Sequence, residues 1–460
     1  MKEFDAIVIG AGQAGVPLAK KLANSGLRTV LIEKRWVGGT CINDGCTPTK
    51  AMVASARMAY QASRSADLGI IIPSYEVDFK SVMARKSTIV AQFRGGSLAG
   101  IEKTKNLSLV YGEARFINDN TIYVNSKDGS FENYTAKSIF INTGASPFIP
   151  DIDGVDEINY LTSTSILELE AVPEHLLIVG GGYIGMEFGQ MFKRFGAKVT
   201  LLEKGPLLLP KEDADACEVM TEIFNQEGID ILTDAKAVKF EKGKNKEIIA
   251  TIDLKGKSTK LTCSHVLLAS GRKPQTEFLG LENTSIECDP HGHIKVNEFL
   301  ETAAKGVYAL GDVKGGPAFT HISYNDYVVV TKNILDHEHK SIKGRMVPYC
   351  MFTDPQLGRI GITETEAKEQ GLDYLVAKIP MKNVARAIET AEIRGFMKAV
   401  VDKNTRQILG ATIIGEQGGE IMTVLQMAMM GNITFDEIRF AIFAHPLYAE
   451  SLNNLFMSIS

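Results

Sequence analysis

Six positions, Gly10, Gly12, Gly15, Ala19, Gly26 and Glu33, recur as Gly180, Gly182, Gly185, Gly189, Gly196 and Glu203, each displaced by 170 residues. A shared offset over six positions marks a duplicated unit. Each copy follows an apolar strand (Ala6 to Ile9; Leu176 to Val179), opens a helix, and returns to a second apolar strand ending in the acid (Thr29 to Ile32; Val199 to Leu202). That context turns a GxGxxG pattern into a dinucleotide fingerprint. The first glycine permits the tight turn, the second lets backbone approach a pyrophosphate, and the third lets helix pack close to strand. The helix N-terminus offers unpaired N–H groups to the phosphates. Glu33 and Glu203 stand where a carboxylate accepts from a ribose hydroxyl. At Glu203 the acid repels the 2′-phosphate of NADPH, so NADH is the expected cofactor, with Lys204 able to offset the repulsion.

The stretch Gly38-Gly39-Thr40-Cys41-Ile42-Asn43-Asp44-Gly45-Cys46-Thr47-Pro48-Thr49-Lys50 directly follows the first copy. Two cysteines at this spacing, in a glycine-bearing turn, can close a small exchange-prone ring. Spacing alone leaves redox work and metal binding open, although zinc pairs usually sit at CxxC-like spacing with a second pair downstream. Cys217, Cys263, Cys288 and Cys350 are isolated and read as small core residues. Two bound dinucleotides need different jobs: a flavin can take a hydride from NADH and pass electrons to a disulfide. The first fold is therefore assigned FAD and the second NADH.

Composition narrows the partners. The 460 residues carry a formal net charge of -5 with no run of like charges, which favours small molecules over nucleic acid or an anionic membrane. No signal-like segment or apolar span approaching membrane length is apparent, so a cytoplasmic location is expected.

Taken together, Gly10 to Gly15, Cys41 to Lys50, Thr143-Gly144-Ala145, Gly180 to Glu187, Gly271-Arg272, Gly311-Asp312 and His445-Pro446 with Glu450 resemble the class I flavoprotein disulfide reductases. The resemblance runs from first strand to last helix. It implies that Cys46 lies against the flavin as a charge-transfer thiolate and that Cys41 exchanges with substrate. It implies an ion pair of Lys50 with Glu187 beside the reactive flavin nitrogen, and an aromatic gate at Tyr183. Thr40, Thr143, Gly144, Gly271 and Asp312 are expected on the cofactor side, with Asp312 on the ribityl chain. Ala318 and Thr320 are expected to touch flavin by backbone, leaving His321 a bystander. Ala114, in a turn Gly112-Glu113-Ala114, is expected to meet the adenine. His445, oriented by Glu450, would serve the other subunit's site as acid and base, which implies a homodimer.

The expected fold is α/β: two Rossmann-like dinucleotide-binding domains (FAD and NAD) plus a C-terminal α+β dimerisation domain. The boundaries are residues 1–152 for the first part of the FAD domain, 153–275 for the NAD(P) domain, 276–345 for the FAD-side central domain, and 346–460 for the interface domain. Pro147 to Val155 reads as a linker. Thr363 with Glu366 and Thr434 with Glu437 spell capping boxes. Met422, Met427, Met429 and Met430 read as core or interface packing on the helix between them, and no metal site is expected.

The electron acceptor is expected to be a small oxidant. The pieces around Cys46, Phe319 and Glu450 look closest to reductases of the reactive-chlorine-resistance and hypothiocyanous acid type and to mercuric-reductase-like chains. Mercuric or lipoamide chemistry are alternatives within the class. The cysteine-free tail and the lack of a preceding metal-binding domain weigh against mercuric reductase, and Glu203 against glutathione reductase. A thiol redox sensor is the non-enzymatic alternative. Asp44 departs from the usual apolar residue between the cysteines and is expected to raise the neighbouring thiol pKa values and repel anions.

Overall fold

The two fingerprints are expected to build parallel sheets, and in the computed structural model, which describes residues 1–126 and 128–459, they do. The chain divides into two compact units: residues 1–51, 83–148 and 271–345, and residues 52–82, 149–270 and 346–460.

In the first unit, strands Val307–Ala309, Phe131–Ile141, Lys2–Ile9, Thr29–Glu33 and Leu107–Asn118 lie parallel in that order, and Thr121–Ser126 folds back as a hairpin strand. All five residues of Thr29–Glu33 are buried, as a strand covered on both faces must be. Helix Gly15–Asn24 packs Leu18, Ala19 and Leu22 inward from one face of the sheet.

The second unit repeats the pattern with strands His265–Leu268, His175–Val179, Lys198–Leu202 and Asp230–Leu232, all parallel, and helix Tyr183–Arg194 after the second fingerprint. A three-stranded antiparallel sheet follows, then a five-stranded antiparallel sheet built from residues 349–415. Both expected capping boxes form, Thr363 with Glu366 and Thr434 with Glu437. On the intervening helix Met422 is buried, whereas Met427 and Met430 are exposed. Inside this unit Tyr60 carries three guanidinium groups around its ring, Arg194 at 3.9 Å, Arg394 at 4.8 Å and Arg64 at 5.4 Å. Glu227 and Asp354 pair with Arg194, and Glu392 with Arg394, so the charge is compensated where it is enclosed.

The duplication is exact at the hydrogen-bond level. Gly10 N donates to Ile32 O at 2.8 Å and Gly180 N to Leu202 O at 2.9 Å. Both first glycines adopt positive φ, +101° and +119°, and a Cβ there would meet backbone oxygen at 2.3 Å and 2.6 Å. At Gly15 and Gly185 a Cβ would lie 2.0 Å from the carbonyl of the first glycine, so helix and strand can close only on glycine.

Two local expectations are corrected. Gly112-Glu113-Ala114 is no turn but the middle of strand Leu107–Asn118, because Gly112 lies against the Asn125 carbonyl of the paired strand. Pro147 is not linker but the end of a short strand, Ala145–Pro147, paired with Arg272–Pro274. Among the described residues no helix is long and apolar enough to cross a membrane.

Cys217 and Cys263 are buried, as core residues should be, while Cys288 and Cys350 are half-buried. Burial pushes the Cys217 thiol up to about 11, with Glu212 adding to the rise, and the Cys263 thiol up to about 12. An unfolded thiol releases its proton near pH ~8.5. Above that the unfolded chain binds fewer protons than the folded one, so the contribution to stability is full below it and is lost as pH rises towards the folded values. The melting temperature should therefore fall between pH 8 and pH 10, with a shallower fall in the Cys217→Ala/Cys263→Val variant. An identical slope in the variant would refute this origin.

Candidate active site

The cysteine turn is built on the first fingerprint. Gly38 N donates to Ala11 O at 2.8 Å, and Gln13 Nε2 donates to Gly38 O at 3.1 Å. Gly39 has φ +61°, and a Cβ on it would lie 2.7 Å from Gly12 Cα, so the two backbones touch. Helix Gly39–Asp44 carries Cys41, and Cys46 opens helix Cys46–Ser63. A thiolate at that position faces the positive end of the helix. Both cysteines are thiols in this structure, Cys46 exposed and Cys41 less so. Thr320 Oγ1 stands 3.4 Å from Cys46 Sγ. Hydrogen bonding to Cys46 and burial push the Cys41 thiol far up, with Thr320 and Lys50 opposing. Cys41 thus holds its proton tightly.

Two residues that sequence reasoning passed over fix this turn. Buried Asn43 donates from Nδ2 to Val37 O at 3.1 Å and to Gly39 O at 2.8 Å, and its Oδ1 accepts from Arg94 Nε at 2.7 Å. Arg94 also lies over the Trp36 ring at 4.4 Å. An amide between two cysteines at a buried position was the available signal for Asn43; nothing local signals Arg94. Asp44 is held by Arg35, whose Nη2 donates to both carboxylate oxygens.

The first unit also carries Thr143, Gly144 and Gly271 in short connections, Asp312 in the turn Gly311–Lys314, and Ala318 just before helix Thr320–Leu335, which Thr320 opens. Thr143 Oγ1 donates to Gln275 O at 2.8 Å, and Gln275 Nε2 donates back to Thr143 O at 2.9 Å. Asn142 Nδ2 donates to Gly10 O at 3.2 Å. Gly311 N donates to Asp326 Oδ2 at 2.8 Å, and fully buried Asp326 pairs with Lys314 at 3.3 Å and Arg345 at 2.6 Å. That triad fixes the short turn Gly311–Lys314, where burial pushes the Asp312 carboxyl up and Arg272 opposes it. Glu33 accepts from Ala11 N at 2.8 Å and Arg35 N at 2.7 Å. Thr40 is exposed; Ala114 is buried within its strand. The glycine surfaces, the helix start at Gly15 with no side-chain cap, and the buried Glu33 carboxylate together fit FAD.

In the second unit Glu203 repeats Glu33, accepting from Gly181 N and Gly205 N, both at 2.9 Å. Gly182 precedes helix Tyr183–Arg194 with no side-chain cap, leaving its first amides for a pyrophosphate. Tyr183 donates to Glu212 Oε1 at 2.7 Å, and Tyr349 donates to the same oxygen at 2.6 Å, while Arg359 Nη1 reaches Oε2 at 3.0 Å. This buried acid was not singled out in the sequence. Glu187 is buried and accepts from Phe352 N at 2.7 Å. His445 Nδ1 lies 3.0 Å from Glu450 Oε2, with the imidazole 71% exposed. Glu450 sits just before helix Ser451–Met457.

A fold with two dinucleotide turns and a dithiol welded to the first is the architecture of the pyridine nucleotide-disulphide oxidoreductases. The model of that family matches residues 4–326, that of its dimerisation domain matches residues 347–456, and the chain belongs to the family. It is an FAD-dependent, NAD(P)H-using flavoprotein oxidoreductase. It is 36% identical over 460 residues to the probable pyridine nucleotide-disulfide oxidoreductase RclA of Escherichia coli (strain K12), covering 99% of each chain. It is 34% identical to a mercuric reductase of Staphylococcus aureus, covering 98% of this chain and 81% of that one. With the dihydrolipoyl dehydrogenase of Bacillus subtilis (strain 168) it shares 33% identity, over 97% and 94% of the two chains. The Cu(II) complex of the HOCl-induced flavoprotein disulfide reductase RclA from Escherichia coli superposes with a TM-score of 0.92 at 35% identity, over 100% of both chains.

Replacing Asp326 with Ala leaves Lys314 and Arg345 without their buried counter-charge, a loss of about 3–5 kcal/mol for such pairs. The variant should melt at a lower temperature and release FAD more readily on dilution, followed by flavin fluorescence. Unchanged melting and retention would contradict the anchoring role.

Proposed function

We propose that the protein is an NADH-dependent reductase of a small electrophilic oxidant, hypothiocyanous acid or a similar species, working through a Cys41/Cys46 disulfide. The observation that carries the reading is the dithiol turn: Cys46 opens a helix beside the Thr320 hydroxyl, and Cys41 keeps its proton against it. FAD, when bound, supplies the two-electron conduit from NADH to the disulfide. The chain's own residues do the rest.

Reduction yields Cys46 as the stabilised thiolate and Cys41 as the thiol. Once a base removes the Cys41 proton, its sulfur attacks the electrophilic centre of the oxidant and expels the leaving group as an anion or, with a proton, as water. Cys46 then attacks Cys41 sulfur, displaces the remaining fragment and closes the disulfide. Two electrons leave the sulfur pair and the oxidant gains both. The base is His445 of the other subunit, oriented by Glu450 through Nδ1 so that Nε2 faces the sulfur. An imidazole that is tethered yet exposed on its own chain suits a residue offered across a dimer, and the matched dimerisation domain supports a homodimer. By the family resemblance Lys50 and Glu187 would each serve to hold the flavin, and Tyr183 would stand on the nicotinamide side. The 36% likeness to RclA, and the HOCl induction named for its solved structure, support an oxidant as acceptor.

Steady-state NADH consumption with hypothiocyanite, lipoamide, small disulfides and mercuric ion tests this. The highest kcat/KM is expected with hypothiocyanite; a preference for lipoamide or mercuric ion would replace the reading, and no turnover with any acceptor would favour a redox sensor. Cys46→Ser should abolish turnover with every acceptor. In Glu203→Ala the ratio of kcat/KM for NADH over NADPH should fall by about tenfold or more, because an anion no longer faces the 2′-phosphate; an unchanged ratio would remove Glu203 from cofactor choice.

A further inference from the structure

Asp44 is the single acidic residue between Gly38 and Lys50, and it sits two positions from Cys46. A carboxylate there adds a negative charge beside the thiolate that any acceptor must approach. The structure does not leave it bare. Both oxygens of Asp44 accept from Arg35 Nη2, the Asp44 side chain is 13% exposed, and the Arg35 side chain is 48% exposed. Arg272, largely enclosed, donates to Ala145 O; burial lowers its pKa, and the negative charges of Asp312, Asp44 and Cys46 oppose that fall. The cation that pairs with Asp44 therefore reaches it from beside the first fingerprint.

We propose that Arg35 is a specificity-determining residue of the dithiol site: by pairing with Asp44 it cancels the acidic charge on the Cys41–Cys46 turn and keeps the turn accessible to anionic oxidants. This rests on the reading of the dithiol as the electron donor. In this role Arg35 acts through Asp44. Without it, Asp44 and the Cys46 thiolate both repel an incoming anion, while a neutral acceptor feels little difference. Without Asp44, the turn carries one negative charge fewer and the anion is favoured instead. The two substitutions thus have opposite signs, which loss of packing does not produce.

The test compares two acceptors, an aromatic disulfide carrying two carboxylates and neutral hydroxyethyl disulfide, on the FAD-loaded enzyme. Flavin content and melting temperature are recorded for each variant. The readout is the ratio of the two kcat/KM values, in which any general loss of activity cancels. At low ionic strength Arg35→Gln should lower the ratio by about two- to fivefold, the range of a partly exposed ion pair. Asp44→Asn should raise it, and the double variant should return it to near the starting value. Salt at ~0.5 M should flatten all four ratios, since screening then acts over a few ångströms. The proposal is overturned if Arg35→Gln leaves the ratio unchanged, if both substitutions move it in the same direction, or if the differences persist at high salt. Failure of the unsubstituted enzyme to turn over either disulfide, while hypothiocyanite and lipoamide are also refused, overturns instead the functional reading beneath it.

Discussion

The contact on which the site depends is between two stretches of bare backbone. Gly39 lies so close to Gly12 that a methyl group on it would be 2.7 Å from the neighbouring Cα, and Gly38 donates to Ala11 a residue earlier. The position of the dithiol relative to the first dinucleotide turn is therefore set before any side chain acts. Asn43 and Arg94 then lock the short cysteine helix, and Cys46 falls at the start of the next. Any side chain at residue 39 would separate the sulfur pair from the turn that brings the cofactor to it.

The two fingerprints share their scaffolding almost atom for atom, and they differ in what is attached. In each copy a buried glutamate accepts from two backbone amides, from Ala11 and Arg35 in the first and from Gly181 and Gly205 in the second. A carboxylate so held is fixed in place. The first copy continues into the cysteine turn; the second continues into a buried acid, Glu212, shared by Tyr183, Tyr349 and Arg359. Duplication supplied two equivalent dinucleotide seats, and the chain after each seat assigned the chemistry.

The glycines, the terminal acids and the cysteine pair were legible because each is a local requirement of backbone geometry or sulfur chemistry. Capping boxes were legible for the same reason: Thr363 and Glu366 satisfy amides within one turn. What escaped notice are partners set by distant chain. Asp326 reaches the Gly311 turn and Arg345, Glu212 gathers residues from over a hundred positions away, and Arg35 meets Asp44 only because the turn folds back on the strand end. The expected turn at Gly112 failed differently: glycine in a strand can mark a close backbone neighbour, here Asn125, as readily as a bend. Asp44 was read for its charge alone, and charge without its counter-ion gave half of the electrostatics.

Anaerobic reductive titration of the FAD-loaded protein, followed by absorbance, tests whether the sulfur pair belongs to the same electron path as the flavin. Uptake of two electron pairs per chain, with a long-wavelength band that appears with the first pair and is absent in Cys46→Ser, is the predicted result. Uptake of a single pair, with flavin bleaching directly and the cysteines untouched by alkylation analysis, would contradict it.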